Sequence, residues 1–474
     1  MKRSLIWFRN DLRIHDNEAL IKACQAKEVV PLYCIDPRHF AKTSFGFPKT
    51  GYHRTKFLLE SLQNLRSNLK EIGIDLIIRE GKPEEIIPEI IEKYDIDLAF
   101  THKEITREEI DVENSLKDTL GDTLTFAWSS TLFHINDIPF SKEDVPDVFT
   151  QFRKRTEKES KVRKEYEEPT RASLVPGIEA GKIPTVEDLG LEDKPDDPRA
   201  VLNFKGGEDE ALKRLQNYFW EGDHLKNYKF TRNGLLGPDY SSKLSPWLAN
   251  GCISPRRIYW EVKQYEEKRK KNVSTYWMIF ELLWRDYFRF SAWKYGDKIF
   301  WPSGIQGKKR KWKTDRDIFN KWAEGNTGIP FIDANMRELN NTGYMSNRGR
   351  QNVASFLAQN LNIDWRMGAE YFESLLIDYD PCSNYGNWAY NTTVGHDPRN
   401  RYFNIISQAE KYDKKGEYVK NWVPALRKVS KDFIHEPHKM NQDQQTLFSV
   451  DIGNGYPEPM INLDESYEEI KARD

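Results

Sequence analysis

Apolar positions fall into two regimes along the chain. In the first third, short runs at 4–8, 29–35, 76–79, 98–101 and 123–128 have the length of buried strands. The segments between them carry helical spacing. Phe57, Leu58, Leu62, Leu65 and Leu69 make one stripe, and Asp16 is placed to cap another helix that starts near Asn17. Alternation of strand and helix predicts a doubly wound α/β domain with a parallel sheet over residues 1–132. Residues 133–205 are rich in Lys, Glu and Pro without sustained periodicity, which predicts a connector wrapped on the surface. From residue 206 the strand signals fade. Long helical patterns at 273–294, 352–361 and 365–376 predict an all-α domain over 206–430. Residues 431–474 are expected to form a C-terminal tail, and its acidic, proline-containing part at 451–474 is expected to be loose.

Length fits this division, since 474 residues exceed one ordinary domain. A net charge of -2 excludes general electrostatic attraction to nucleic acid, so any such binding must come from a local basic patch. The 14 tryptophans bring large apolar area and an N–H that needs a partner. Cys24, Cys34, Cys252 and Cys382 are scattered, which suits a reducing compartment and argues against a zinc site. The residues Met1, Lys2 and Arg3 lead directly into a strand-like run with no signal-peptide pattern, and no apolar stretch reaches membrane-spanning length. The expectation is a cytoplasmic protein, or an organellar one after trimming of a transit peptide, without a membrane partner. Neither GxGxxG nor GxxxxGK[ST] occurs, so the usual phosphate loops are absent.

Three clusters carry candidate chemistry. On the pattern at 273–294, Trp277, Phe280, Trp284 and Phe288 form one aromatic face that includes Glu281. A carboxylate there is costly to bury unless paired. It serves either as a structural partner of a nearby arginine or as a group presented to a ligand, with Trp284 one turn on as a stacking surface. Asn347, Arg348, Arg350 and Gln351 open another helical pattern and combine anion with amide recognition. Asp378, Asp380, Asn384, Trp388 and Tyr390 lie in IDYDPCSNYGNWAYNTTVGHDPRN, whose composition predicts a polar loop that grips a ligand or merely joins helices. Basic stretches at 308–313, interrupted by Trp312, and at 268–271 serve phosphate contact or solubility equally well. His435 and His438 lack a third ligand and are set aside as a metal site.

Read together, these signals resemble one family over nearly the whole chain. The motifs are WFRNDLRIHDN at 7–17, WRDYFRF at 284–290, TGIPFIDANMRELNNTGYMSNRGRQNVASFL at 327–357 and DWRMGAEYFESLLIDYDPCSNYGNW at 364–388. They resemble photolyases and cryptochromes, and the longer two resemble the DASH branch. The resemblance implies that the helical domain binds FAD. Tyr228, Ser241, Ser242, Lys243, Leu244 and Ser245 match contacts to its phosphates and ribityl chain. Arg350 and Asp378 match a pair against the isoalloxazine ring, Asp380 a carboxylate reaching the cofactor, and Asn384 the residue facing flavin N5. Trp388, Trp365 and Trp312 match an electron relay from surface to flavin. Glu281, Trp284 and Asn347 match residues lining a dimer pocket, and Arg232, Arg348 and Arg401 match phosphate-contacting arginines at its mouth. Gln351 stands where double-strand-specific enzymes have Met, and Tyr390 where they have Trp.

The resemblance implies blue-light-dependent repair of cyclobutane pyrimidine dimers by electron transfer from reduced FAD. The substrate it implies is single-stranded DNA, with RNA as a second candidate, and the expected state is a monomer. A methenyltetrahydrofolate antenna is implied for the N-terminal domain, near Glu104, Glu108 and Glu109, with Arg107 at the aligned place. A light-responsive regulator that binds nucleic acid without repairing it is the alternative. An ordinary flavin oxidoreductase is disfavoured because no nicotinamide fingerprint is present.

Overall fold

Valine, isoleucine, leucine and aromatic runs too short for helices pair into one parallel sheet. The computed structural model describes residues 2–395 and 402–472. Strands β1 (Arg3–Phe8), β2 (Glu28–Ile35), β3 (Ile77–Glu80), β4 (Leu98–His102) and β5 (Leu124–Ala127) lie in the order β3-β2-β1-β4-β5. Helices α1 (Glu18–Ala23), α2 (Tyr52–Glu71), α3 (Pro83–Tyr94) and α4 (Arg107–Leu120) make the crossovers. All five predicted strands are present. Because both faces are covered, β1 is buried along nearly its whole length. The cap of α1 is Asn17, whose side chain accepts from Leu20 N, and not Asp16. Asp16 has a left-handed backbone (φ 47°) and turns its carboxylate to Ser254 and Arg256 instead.

The order of strands reverses between β1 and β4, and open α/β sheets present a crevice at such a point. Here Arg289, from the helical part of the chain, reaches Glu104 just beyond β4. The loop after β1 locks onto the same part. Buried Arg13 donates to the carbonyls of His15, Asp16 and Gly251, and Glu208 accepts from Ile14 N, His15 N and the His15 ring. These contacts account for Arg13 and His15 of WFRNDLRIHDN.

The connector contains one helix, α5 (Phe149–Glu159), and then runs without helix or strand to residue 207, bonding to the sheet edge through Ser173 O and Ala180 O. The helical part follows as α6 (Glu208–Gln216), α7 (Tyr228–Thr231), α8 (Ser245–Ala249), α9 (Pro255–Lys268), α10 (Val273–Tyr295), α11 (Arg316–Glu324), α12 (Pro330–Thr342), α13 (Asn347–Ser355), α14 (Trp365–Leu375), α15 (Pro381–Asn391), α16 (Ile405–Tyr412), α17 (Glu417–Trp422), α18 (Gln442–Leu447) and α19 (Leu463–Ala472). Among the described residues no strand interrupts it.

Two expectations are corrected. The segment at 451–472 is not loose. Tyr456, Tyr467 and Ile470 are buried, the Tyr456 hydroxyl donates to Asp333 at 2.6 Å, and Asn360 donates to Ser466 at 2.7 Å. Three apolar anchors in an acidic stretch are enough to dock it. The second correction concerns 380–391, expected as a loop. It is helix α15, capped by Asp380 with Pro381 in its first turn.

Candidate functional site

Helix α15 organises the site. Its N-cap Asp380 accepts from Ser383 N at 2.8 Å through one carboxylate oxygen and from Arg289 at 2.7 Å through the other. Arg289 also donates to Glu104 at 2.6 Å, so one buried guanidinium joins the β4–α4 loop to the start of α15. Burial alone would raise Glu104, yet Arg289, His102, Arg9 and the Asn10 amide outweigh it and bring its carboxyl down to about 2. Asp380 is therefore held by protein groups on both oxygens.

From this anchored start, α15 turns Asn384, Asn387, Trp388 and Asn391 toward a pocket that it shares with Asn347, Arg350 and Gln351 of α13 and with Asp378. Arg350 donates to Asp378 at 2.9 Å and to Met345 O at 2.9 Å. Three asparagine amides on α15 are tethered alike. Asn384 donates to Ala369 O at 2.9 Å, Asn387 to Ser383 O and Asn391 to Asn387 O, both at 2.8 Å. Each keeps its Oδ1 as the amide's acceptor end.

The second wall belongs to α10. Glu281 accepts from Arg232 at 2.6 Å, so the two residues placed separately in the pocket and at its mouth form one pair. Burial raises the Glu281 carboxyl, and Arg232 opposes the shift. Trp284 stacks on Phe149 of α5, with centroids 3.7 Å apart and planes 10° from parallel. Trp284 also makes an edge-to-face contact with Tyr390 of α15, with centroids 5.7 Å apart and planes 81° from parallel. One face of Trp284 is thus covered from within the chain. Arg348 donates to Asn233 at 3.2 Å and lies over Tyr412 at 4.7 Å. Arg401 lies outside the described residues.

The loop before α8 brings Ser241, Ser242, Lys243 and Leu244 to the first residue of that helix, Ser245, with Tyr228 buried at the start of α7. Arg214 of α6 shapes this loop by donating to Pro238 O, Ser241 O and Ser242 O. Lys243 takes the left-handed backbone (φ 55°), uncommon for a residue with a side chain. Its ammonium is buried 3.1 Å from the centroid of Tyr240 with no hydrogen-bond partner within the protein, and burial brings it down to about 6.

Two of the three tryptophans share one acceptor. Trp365 and Trp312 both donate to the carbonyl of Pro302, at 3.3 and 3.0 Å. Trp388 packs against Gly368, one turn beyond Trp365 on α14, where a side chain would collide with the indole. Trp365 and Trp312 are thus joined through Pro302, Trp388 packs about one turn along α14 from Trp365, and the Trp312 ring is covered by the Arg310 guanidinium at 4.1 Å.

Two sequence models match the chain. One described as DNA photolyase covers residues 4–172, and one described as the FAD binding domain of DNA photolyase covers residues 277–473. The cryptochrome DASH of Gloeobacter violaceus is 51% identical over 98% of this chain and 94% of its own length, and that of Xenopus laevis is 51% identical over 96% and 88%. The chain belongs to the photolyase/cryptochrome family, in its DASH branch. A solved Synechocystis cryptochrome superposes on this DASH chain with a TM-score of 0.97 at 48% identity, covering all of it and 99% of that structure. A class III photolyase from Agrobacterium tumefaciens gives a TM-score of 0.87 at 28% identity over 100% and 97% of the two chains.

The residues suit the flavin that such a domain binds. Within the protein, Lys243 Nζ, Glu338 Oε1, Asp378 Oδ1, Gln351 Oε1 and Trp388 Nε1 are buried without a hydrogen-bond partner. An amine, carboxyl and amide oxygens and an indole left open in this way fit a ligand that carries a diphosphate and a ring with N–H and C=O edges. The sequence reading missed Arg214, Arg289, Phe149, Asn387 and Asn391. The two asparagines follow Asn384 at helical spacing, a signal hidden while the segment is read as a loop. Nothing local marks Phe149, which sits in the connector.

Among the described residues no helix is long and apolar enough to cross a membrane, and no group of His, Cys, Asp and Glu could hold a metal ion. The acidic cluster in the N-terminal domain is largely paired: Glu104 with Arg289, Glu108 with Lys49, and Glu109 with the Thr106 hydroxyl.

Proposed function

We propose that this chain repairs cyclobutane pyrimidine dimers in blue light, preferentially in single-stranded DNA. The observation that carries the reading is one pocket wall, α15, that joins Asn384 and Trp388 with Tyr390, the neighbour of Trp284. This supports reading the proposed electron-relay and dimer-pocket positions as neighbours along one helix. FAD, when bound, supplies the light-absorbing electron donor. Lys243, with the hydroxyls of Ser241, Ser242 and Ser245 and with Tyr228, would hold its diphosphate and ribityl chain. Arg350 and Asp378 would clamp the ring, with Asn384 offering Oδ1 to a ring N–H. Asp380 would act through the position of α15, because its own oxygens are taken by Ser383 and Arg289.

Glu281 would accept from the pyrimidine edge and stabilise charge that develops on the dimer. Arg232 keeps that carboxylate oriented, and Trp284, backed by Phe149, presents its remaining face for stacking. Asn347 and Gln351 supply amides on the opposite side. Arg232, Arg348 and Arg401 would meet phosphates. Methenyltetrahydrofolate is proposed as the antenna on family resemblance. Action as a monomer is proposed on family resemblance alone, and RNA is a second candidate partner. The cysteines, all free, suit the reducing cytoplasm that we propose as its compartment.

The test is illumination of purified, flavin-reduced protein with ultraviolet-irradiated oligothymidylate, followed by chromatographic separation of products. Restored thymines are expected, with Glu281→Gln and Trp284→Ala slowed while retaining flavin. Absence of turnover with the flavin fully reduced would favour a light-responsive regulator over a repair enzyme.

A further inference from the structure

The short helix α7 lies against α10 and carries an apolar side chain with no internal use. Phe230 is 73% exposed, and it stacks on no other ring among the described residues. Lone exposed apolar residues are ordinary on any surface. Phe230 differs in its company. Lys229 holds its ammonium 4.5 Å over Trp277, and Arg232 lies over the same ring at 5.9 Å while it binds Glu281. Trp277 stacks on Phe280 with centroids 4.6 Å apart. Asn233 ties the segment to Arg348. Neither Lys229 nor Arg348 is paired with a carboxylate among the described residues.

Along α10, Trp284, Glu281 and Trp277 climb in single helical turns from the pocket toward α7. Seven residues at 1.5 Å rise span roughly 10 Å, about the length of three stacked nucleotides at 3.4 Å each. Cations alternate with aromatic faces over this distance, as on surfaces that track an unpaired strand. Duplex bases have their faces occupied by neighbours, so an exposed phenyl ring selects a strand whose bases are free to unstack onto it.

The geometry points to Phe230 as a stacking platform for an unpaired base flanking the lesion, with Lys229, Arg232 and Arg348 holding the adjoining phosphates. This deepens the repair reading and rests on its DNA substrate, but it concerns binding outside the dimer pocket. Phe230→Ala should weaken binding of single-stranded oligothymidylate roughly five- to a hundredfold. Phe230→Trp should restore it and Phe230→Leu should not. Affinity for an isolated thymine-dimer dinucleotide, too short to reach α7, should be unchanged in all three variants. Flavin absorbance serves as the check on folding. Equal oligothymidylate affinity in wild type and Phe230→Ala overturns the inference, as does wild type that fails to bind the oligonucleotide. Loss of self-association in Phe230→Ala with DNA binding intact also overturns it, because the ring would then serve a protein contact. Phe230-dependent binding in a protein that splits no dimer would leave this inference standing while the repair reading falls.

Discussion

Lys243 shows how a single residue reports on the ligand that its surroundings await. Burial drives its ammonium down to about 6, and no hydrogen bond within the protein offsets the loss of water. Near neutral pH the ligand-free site therefore holds a largely uncharged amine. An anionic group bound beside it would raise that pKa, so binding takes up a proton, and affinity falls as pH rises above about 6 until the bound-state pKa is passed. Flavin titrations of the apoprotein across the neutral and mildly alkaline range should show that slope, and Lys243→Met should remove it. A pH-independent affinity in the wild type would place the diphosphate away from Lys243. Trp365 is the second diagnostic residue. It is fully buried and stands between Gly368, where Trp388 packs, and Pro302, which it shares with Trp312. Trp365→Phe should abolish light-driven flavin reduction by an external donor while flavin content stays normal. Photoreduction at the wild-type rate would show that electrons travel by another path.

At the scale of elements, the junction of Glu104, Arg289 and Asp380 fixes α15 to the sheet. Removing Arg289 leaves Glu104 buried without its ion pair and Asp380 with only the more distant Arg285 at 3.9 Å, a loss of ~3–5 kcal/mol, whereas Asp380→Ala also removes a cap worth ~1 kcal/mol. Arg289→Leu should lower the thermal midpoint by several degrees and release flavin. The pH dependence has a definite sign. Glu104 sits at about 2 against an ordinary value of 4.5. Its contribution is complete above 4.5 and is lost as pH falls from there toward about 2. Thermal midpoints over that range should fall less steeply in Glu104→Gln than in wild type. None of this junction was legible in the sequence, because its members lie far apart and pair only after the two halves dock. Strands were legible, since continuous apolar runs of that length have few alternatives. The aromatic helix α10 was legible as well, to within a residue of its end. Helix α15 was not, because Asp, Asn, Ser and Gly promote turns and have low intrinsic helix propensity. Packing of α10, α13 and α14 around it overrides that propensity. The Asp380–Pro381 start was nonetheless a helix signal in plain view. The tryptophans proposed as a relay came from the family resemblance alone, since their spacing along the chain says nothing of the Pro302 carbonyl that Trp365 and Trp312 share.

At the scale of the whole molecule, the question is what offsets the cost of extracting a dimer. Flipping a lesion out of a duplex costs a few kcal/mol, and least where the strand is already unpaired. A net charge of -2 provides no general attraction to DNA, so the compensation must come from groups around the pocket. Several of these are already engaged. Arg232 is tied to Glu281, Arg348 to Asn233 and Tyr412, and Arg310 of the basic stretch to Ala358, Gln359 and Asn362. Phe149 occupies one face of Trp284, and the family resemblance matches Gln351 and Tyr390 to positions that it gives as Met and Trp in double-strand-specific enzymes. On the proposed repair reading, a pocket with this inventory would receive an unpaired lesion more readily than it would extract a paired one. Repair should therefore be efficient on dimers in single strands and in looped duplexes, and weak in fully paired DNA. The measurement is turnover under illumination of one dimer-containing oligonucleotide, alone and annealed, at matched low salt. Raising the salt should depress both rates through the phosphate contacts, but the ratio between them should persist, because it reflects the cost of unpairing. Equal turnover on both forms would overturn the strand preference and leave dimer repair itself intact.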